Sequence, residues 1–325
     1  MRYIVRADAS IANGAGHVMR VSAIAEELIN RNLDVIFVGD IKGLPWVQQR
    51  IVSLGFSEVH PDSSTFSANQ ESDVLILDSY VIDPGDAFVD QKKWKSVIAF
   101  VDNVTPLYKA NLYIHSGSGT SWTPPLDCSE VPFLSGVNYL AIRKSIREMV
   151  RPPSFVSKPD LDITIVGGGS DPFGFCVAMS KFLHTLDDQF SVSIFTESTR
   201  EVPIDSRFNY QLVGPKFDEH LKRTDLVFTT AGTSSWELLS LGLPIGLALA
   251  ADNQRANYEF QVQNSLALDV GSYNSSGWWD LSDINIESLV NDATIRSVLC
   301  DNAGAAIDGQ GVSRIANHIL RILST

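Results

Sequence analysis

The run Asn13-Gly14-Ala15-Gly16-His17-Val18-Met19-Arg20 gathers two glycines, a histidine and an arginine between a strand-like stretch, residues 2–8, and a helical pattern over 16–31. A glycine loop in that position lets a ligand approach the backbone at a helix N-terminus. The spacing is neither GxGxxG nor GxxxxGK[ST], and a histidine stands where a phosphate loop carries lysine. His17, Arg20 and Val21 are three and four residues apart, so they share a helix face that runs on into an apolar stripe at Ile24, Ala25 and Leu28. That places His17 at the end of the buried stripe, at the rim of a sheet. A helix N-terminus disfavours the imidazolium form, and a neutral ring can accept a proton near pH 7, as a general base must. The same position also suits a histidine hydrogen-bonded inside an interface. Arg20 is expected either to orient the site or to pair with a carboxylate such as Asp8.

A second group of chemically useful residues lies in Thr229–Pro244. A strand ends, Gly232 turns the chain, and Thr233, Ser234 and Ser235 open a helix. Ser234 and Glu237 match a capping box, which needs no ligand. The same turn offers backbone N–H groups and hydroxyls to a phosphate without a lysine. A third stretch, Ile165–Gly174, has three glycines in a row. It is followed by Asp171-Pro172, the pattern of an N-cap with proline at N1. Asp8, Asp78, Tyr80 and Asp102 sit at or just past strand ends, where turn formers are also common. Asn253 and Gln254 open another helix after a strand, placed to bind sugar hydroxyls or to cap. His60, His115, His184, His220 and His318 fit no ligand spacing. No HExxH, no GxSxG and no metal-holding cluster of carboxylates is present in the sequence. Neither a metal nor a cofactor is therefore expected.

The elements that must position these residues alternate. Short runs rich in branched apolar residues at 2–8, 34–39, 73–78 and 96–102 suit strands of a parallel sheet covered on both faces. The proline-rich stretch 151–160 is the linker candidate. Strand candidates resume at 161–169, 191–196, 210–214, 225–230 and 244–250. Helical stretches fall at 173–186, 216–223, 234–241, 253–265, 286–301 and 312–323. Two alternating halves imply two doubly wound α/β domains, 1–150 and 151–325. Ligands are expected beyond the carboxyl ends of the strands, in a cleft between the halves.

Composition narrows the ligand. The chain has 325 residues, 44% of them hydrophobic, enough for two cores. Lysine and arginine total 25 against 38 aspartates and glutamates, a net charge of −13. Such a balance leaves no basic stripe for nucleic acid, and an anionic ligand must be held mostly by N–H groups and hydroxyls. No apolar run reaches the ~20 residues of a membrane span. The first residues show no signal-peptide pattern. Three scattered cysteines, Cys128, Cys176 and Cys300, suit a reducing cytoplasm.

Taken in order, RADASIANGAGHVMR, LDSY, FVDN, LSGVNYLAIR, VGGGSD, TDLVFTTAGTSSWELLSLGLP and ADNQ resemble PseG. PseG is the UDP-2,4-diacetamido-2,4,6-trideoxy-β-L-altropyranose hydrolase family of pseudaminic acid biosynthesis. The series also resembles the related spore-coat polysaccharide proteins, and the second-half motif is similar to MurG-type glycosyltransferases. The resemblance covers about residues 2–265. It implies a GT-B fold: two Rossmann-like domains facing each other across a cleft, with the last helix crossing back onto the first domain. It implies that His17 activates a water to attack the anomeric carbon, with C–O cleavage, inversion, release of UDP and no metal. It places Gly14 and Gly16 against the pyrophosphate or sugar, and Asp8 and Tyr80 on the sugar side. Thr233, Ser234 and Ser235 would cradle the phosphates, and Glu237 would hold the ribose. Asn253 and Gln254 would reach sugar or phosphates, and the uracil would lie near 214–217. Two departures fall on the sugar side. Asp102-Asn103 stands where the family has two acidic residues, and the loop 114–127 lacks the family's asparagine-rich stretch. The same resemblance leaves open a GT-B glycosyltransferase using a UDP-sugar donor, or a sensor that binds UDP without turnover. The oligomeric state is not legible.

Overall fold

The computed structural model describes residues 1–149, 160–187, 189–196 and 205–323. They form two compact units. One comprises Met1–Lys144 with Gly309–Thr325, the other Ser145–Asp308. Nearly all of the proline-rich stretch 151–160 lies outside the described residues.

The first unit is built on seven strands: β1 Arg2–Ala7, β2 Asp34–Val38, β3 Glu58–His60, β4 Val74–Asp78, β5 Ser96–Phe100, β6 Leu112–His115 and β7 Phe133–Ser135. Their spatial order is β3-β2-β1-β4-β5-β6-β7, and every pairing is parallel. The order reverses between β1 and β4. Side chains alternate between the two faces of each strand, and both faces are buried. Tyr3, Val5, Phe37, Ile76 and Phe100 face one core, while Ile4, Ile36, Leu75, Leu77 and Ala99 face another. This is why the strands read as unbroken apolar runs.

Helix α1, Gly16–Asn30, covers the first face, with Val18, Val21, Ile24, Ala25 and Leu28 buried. Burial of each larger aliphatic in that stripe contributes roughly 1.5–3 kcal/mol, which fixes α1 and everything on its first turn. A second helix, α2 Pro45–Ser53, follows β2.

The second unit repeats the plan with β8 Leu161–Val166, β9 Phe190–Phe195, β10 Phe208–Gln211, β11 Leu226–Thr230, β12 Ile245–Leu249, β13 Leu268–Tyr273 and β14 Trp279–Leu281. The order is β10-β9-β8-β11-β12-β13-β14, parallel except for the antiparallel edge strand β14. It reverses between β8 and β11. The helices are α3 Phe175–His184, α4 Pro215–Leu221, α5 Thr233–Ser240, α6 Arg255–Gln263, α7 Asp283–Asn291 and α8 Ala293–Ala306. The single helix expected over 286–301 is two helices. Asp292 takes an extended conformation between them, and its carboxylate accepts from the N–H groups of Thr294 and Ile295, capping α8.

The last helix, α9 Gly311–Ile322, belongs to the first unit. Its buried face, Val312, Ile315, Ala316 and Ile319, joins the α1 core. Arg31 Nη1 donates to Asn317 Oδ1 at 2.7 Å and Ser313 Oγ to Glu27 Oε1 at 3.2 Å. The start of α9 also lies tight against the backbone of residues 139–140: a Cβ on Gly311 would be 2.3 Å from the carbonyl oxygen of Leu140.

Candidate functional site

In an open parallel sheet, ligands bind beyond the carboxyl ends of the strands where the order reverses. In the first unit that point lies between β1 and β4. Ala7 pairs with Asp78 at the last rung, so Asp8, Asp78 and the start of α1 meet there. The connection from β1 to α1 is a tight loop. Gly14 N–H donates to Ser10 O at 2.8 Å, and Gly14 holds φ 74°, a conformation that favours glycine. Gly16 is the first residue of α1, and no side chain caps the helix.

His17, on the first turn, points its Nδ1 at Asp78 Oδ1, 2.6 Å away. Asp78 is fully buried, and the His17 side chain is 13% exposed. A carboxylate can only accept at that distance, so Nδ1 carries a hydrogen, and in the neutral ring it is Nε2 that presents the lone pair. His17 makes no further hydrogen bond among the described residues. Its ring meets the Tyr80 ring edge-on, with centroids 4.1 Å apart.

Arg20, one turn along, does not reach Asp8. Its guanidinium is buried and divided between two carboxylates. Nε donates to Asp78 Oδ2 at 2.7 Å and Nη2 to Asp78 Oδ1 at 2.8 Å, while Nη2 also donates to Asp102 Oδ2 at 3.0 Å. The expected pairing with a carboxylate is thus found, but on Asp78 and Asp102 rather than Asp8, and it ties together the site's own acidic groups. Asp8 pairs instead with Arg6, Nη1 to Oδ1 at 2.6 Å, and the same oxygen accepts the Asp40 N–H at 2.8 Å. Tyr80 Oη donates to Asp102 Oδ2 at 2.5 Å. Asp102 N–H donates to Thr105 Oγ1 at 2.7 Å, fixing the turn after β5.

Burial opposes ionisation of Asp78, but Arg20 and then His17 outweigh it and hold its pKa below the usual carboxylate value. Asp102 is half-buried, and although burial opposes its ionisation, Arg20 and His115 hold it well below the ordinary range. Burial, and next the Asp102 charge, push the Tyr80 phenol up, so it stays a proton donor. The cluster is a fixed chain: His17 on Asp78, Asp78 on Arg20, Arg20 on Asp102, and Asp102 on Tyr80.

Sequence reasoning missed one member, His115. The segment 114–127 reads as loop, but residues 112–115 form β6, and its last residue turns Nδ1 to Val101 O at 2.9 Å and to Asp102 Oδ1 at 3.2 Å. The signal was faint: a four-residue strand with a polar last residue. Asn103 has a definite role as well. Its Oδ1 accepts from Thr120 Oγ1 at 2.6 Å, Ser121 N–H at 2.9 Å and Ser121 Oγ at 3.2 Å, tying down that loop.

In the second unit the order reverses between β8 and β11. The loops at that rim are 167–170 after β8, 231–232 after β11, and the turn 252–254 after β12, the neighbour of β11. Helix α5 starts at Thr233 with Gly232 as N-cap and no side-chain cap. The capping-box expectation is thus corrected, because Ser234 lies inside the helix rather than at its cap. First-turn N–H groups have no intrahelical acceptor, and the half-buried Thr233 and Ser234 hydroxyls make no hydrogen bond among the described residues.

Ser235 departs from expectation. It is fully buried, donating to Gly232 O at 2.8 Å and accepting from Gln261 Nε2 at 2.9 Å, so its hydroxyl serves the interior. Glu237 is buried one turn on. Gln254 accepts the Ala250 N–H through Oε1 at 3.3 Å, and its Nε2 lies 3.7 Å from where a Cβ on Gly232 would be. Gln254 therefore sits beside the start of α5, while Asn253 is exposed.

The glycine run after β8 receives its own chain. Asp171 does not cap as an N-cap with proline at N1. Gly174 is the N-cap of α3, and the Asp171 carboxylate reaches forward to accept from Phe175 N–H at 2.9 Å and Cys176 N–H at 3.0 Å. Any side chain on Gly167 would collide with that carboxylate, 2.2 Å from an added Cβ. Ser170, beside it, has a buried hydroxyl with no hydrogen-bond partner among the described residues. Near 214–217, Phe217 turns its ring into the core against Phe195, centroids 4.8 Å apart.

Among the described residues, no group of three or more His, Cys, Asp or Glu gathers to hold a metal, and no helix is long and apolar enough to cross a membrane.

The fold these rims belong to is GT-B. Crystal structures match along the whole chain: Acinetobacter baumannii MurG at 13% identity, covering 99% of this chain and 100% of that one, with TM-score 0.63. S. aureus MnaA in complex with UDP matches at 12% identity, 100% and 97% coverage, TM-score 0.59. The calicheamicin glycosyltransferase CalG4 matches at 13% identity, 100% and 98% coverage, TM-score 0.60. By sequence, an uncharacterized protein of Methanocaldococcus jannaschii is 25% identical over 284 residues, which are 80% of this chain and 58% of that protein. The chain thus spans less than two thirds of the length of that relative. No protein family's sequence profile matches the chain.

Proposed function

We propose that the chain is a nucleotide-sugar hydrolase of the PseG kind, releasing UDP from a UDP-linked 2,4-diacetamido-2,4,6-trideoxyhexose in nonulosonic (pseudaminic) acid biosynthesis, in the cytoplasm. The observation that carries this reading is the His17–Asp78 pair. A buried carboxylate fixes the Nδ1–H tautomer and leaves Nε2 as a base with its hydrogen-bonding capacity free.

In the proposed reaction, Nε2 takes a proton from water while the water oxygen forms a bond to the anomeric carbon. The bond from that carbon to the phosphate oxygen breaks, its electron pair leaves with UDP, and the configuration inverts. Asp78 stabilises the imidazolium that develops. Arg20 and Asp102 hold Asp78 and Tyr80 in register, and Tyr80, Asp8, Gly14 and Gly16 line the sugar side. In the second unit, the first-turn N–H groups of α5, the Thr233 and Ser234 hydroxyls, Gln254 and Asn253 would receive the diphosphate, and Glu237 the ribose. Ser170 joins this set, since a buried hydroxyl without a partner gains from an acceptor. The structural likeness to UDP-bound MnaA supports the nucleotide assignment.

A glycosyltransferase is the second reading, supported by the likeness to MurG and CalG4. An acceptor hydroxyl would then replace water. Screening UDP-, CMP- and GDP-linked deoxyamino sugars for nucleotide release without acceptor separates the two. Release from UDP-sugars alone is expected. Release that requires a second sugar or lipid would overturn the hydrolase in favour of the transferase.

A further inference from the structure

We infer that His115 is a positioning residue for the His17 base, acting through Asp102. The inference rests on the hydrolase reading for its kinetic test, but it stands on geometry of its own. His115 Nδ1 lies within hydrogen-bond distance of two groups that can only accept, Val101 O at 2.9 Å and Asp102 Oδ1 at 3.2 Å. Its tautomer is therefore set: Nδ1 carries hydrogen and shares it between the strand backbone and the carboxylate. Asp102 passes that constraint on, through Oδ2 to Tyr80 and Arg20 and through Arg20 to Asp78. Two elements that do not touch His17 directly, the ends of β5 and β6, thus set the angle at which Asp78 meets the imidazole.

Stability alone does not account for the residue. His115 is 5% exposed, and its Nε2 is buried with no hydrogen-bond partner among the described residues. An unpaired buried nitrogen costs the fold free energy that an apolar side chain would not. The fold keeps the imidazole for its other nitrogen, the one on Asp102.

The two nitrogens can be separated. Asparagine places its amide nitrogen near the Nδ1 position, and glutamine places its own near Nε2. In the full chain, His115→Ala and His115→Gln should lower kcat for UDP release ~10–10²-fold, the scale of a small misplacement of a catalytic group, with KM little changed. His115→Asn should recover most of the rate. Equal losses in the asparagine and glutamine variants, or an unchanged kcat in His115→Ala, would overturn the proposal.

A second measurement is independent of turnover. Nitrogen–proton correlation spectra of imidazole-labelled protein should show His17 as a single Nδ1–H tautomer in the unsubstituted chain and in His115→Asn. A mixture of tautomers is expected in His115→Ala. An unaltered His17 spectrum in a folded His115→Ala protein would refute the coupling, whatever the substrate. Failure of the unsubstituted protein to release any nucleotide would count against the hydrolase reading and leave this second test intact.

Discussion

Replacing Asp78 by asparagine is the perturbation that separates orientation from mere structure. The change is nearly isosteric, but it removes the charge facing both His17, at 2.6 Å, and Arg20, at 2.7 and 2.8 Å. An asparagine that turns its amide nitrogen to His17 forces hydrogen onto Nε2 and so abolishes the base. An asparagine that turns its oxygen keeps the tautomer but loses the charge that stabilises the imidazolium. Either way the expected loss in kcat is ~10²–10⁴-fold, roughly 3–5 kcal/mol of barrier. Breaking a buried ion pair from one side costs ~3–5 kcal/mol of stability, and the lower end applies because Asp102 still neutralises Arg20. The expected outcome is a fall in Tm of several degrees together with a rate loss that persists well below it. The assay is UDP release at a temperature where circular dichroism shows both proteins folded. A folded Asp78→Asn protein within about 3-fold of the original kcat would refute the dyad. So would a loss that merely follows the folded fraction.

Other consequences follow from the same geometry. Ser170→Ala should leave the Tm of the free protein unchanged or slightly higher, since it deletes an unpaired buried hydroxyl, yet weaken UDP binding ~5–10-fold by calorimetry. Gly311→Ala should destabilise the first unit by ~1–3 kcal/mol in a denaturant titration, because the new Cβ meets the Leu140 carbonyl and the start of α9 must shift away from the backbone of residues 139–140. His220 gives a pH signature. Burial, and then Arg223, push its pKa down to about 4, while the unfolded chain titrates near ~6.5. The unfolded state therefore binds more protons between those values, and the contribution of His220 to stability is lost as pH falls from ~6.5 to about 4. Thermal melts of His220→Gln across that window should show a flatter pH dependence. Asp78 and Asp102 act lower: their stabilisation is present above the unfolded carboxyl value of ~3.9 and is lost as pH falls through their depressed folded values.

The fold was legible because its strands are buried on both faces, so that residues 34–38, 74–78 and 226–230 announce themselves as apolar runs without any partner strand in view. The three-residue strand Phe133–Ser135 and the antiparallel edge Trp279–Leu281 are too short to carry a period, and pairing rather than sequence defines them. The break at Asp292 hid inside a continuous helical pattern because a cap in mid-pattern reads as one more polar residue. At the candidate site, glycine spacing and helix position pointed to His17, but its partner could not be read from spacing. Asp78 lies on a strand that becomes adjacent to β1 only when the sheet forms, 61 residues away along the chain. The partners of Arg20 escaped for the same reason: its carboxylates, Asp78 and Asp102, come from other strand ends. Ser235 looked like one of three equivalent hydroxyls, and only the helix rotation, which turns it toward Gln261, sets it apart.

On the hydrolase reading, His17 delivers water, and no acceptor sugar, to the anomeric carbon. Turnover of a UDP-linked deoxyamino sugar in oxygen-18 water, without acceptor, tests it most directly. Label is expected in the anomeric hydroxyl of the freed sugar and none in UDP, with a His17→Asn protein slower by ~10²–10⁴-fold. Label in the UDP phosphate, or undiminished release by His17→Asn, would contradict it.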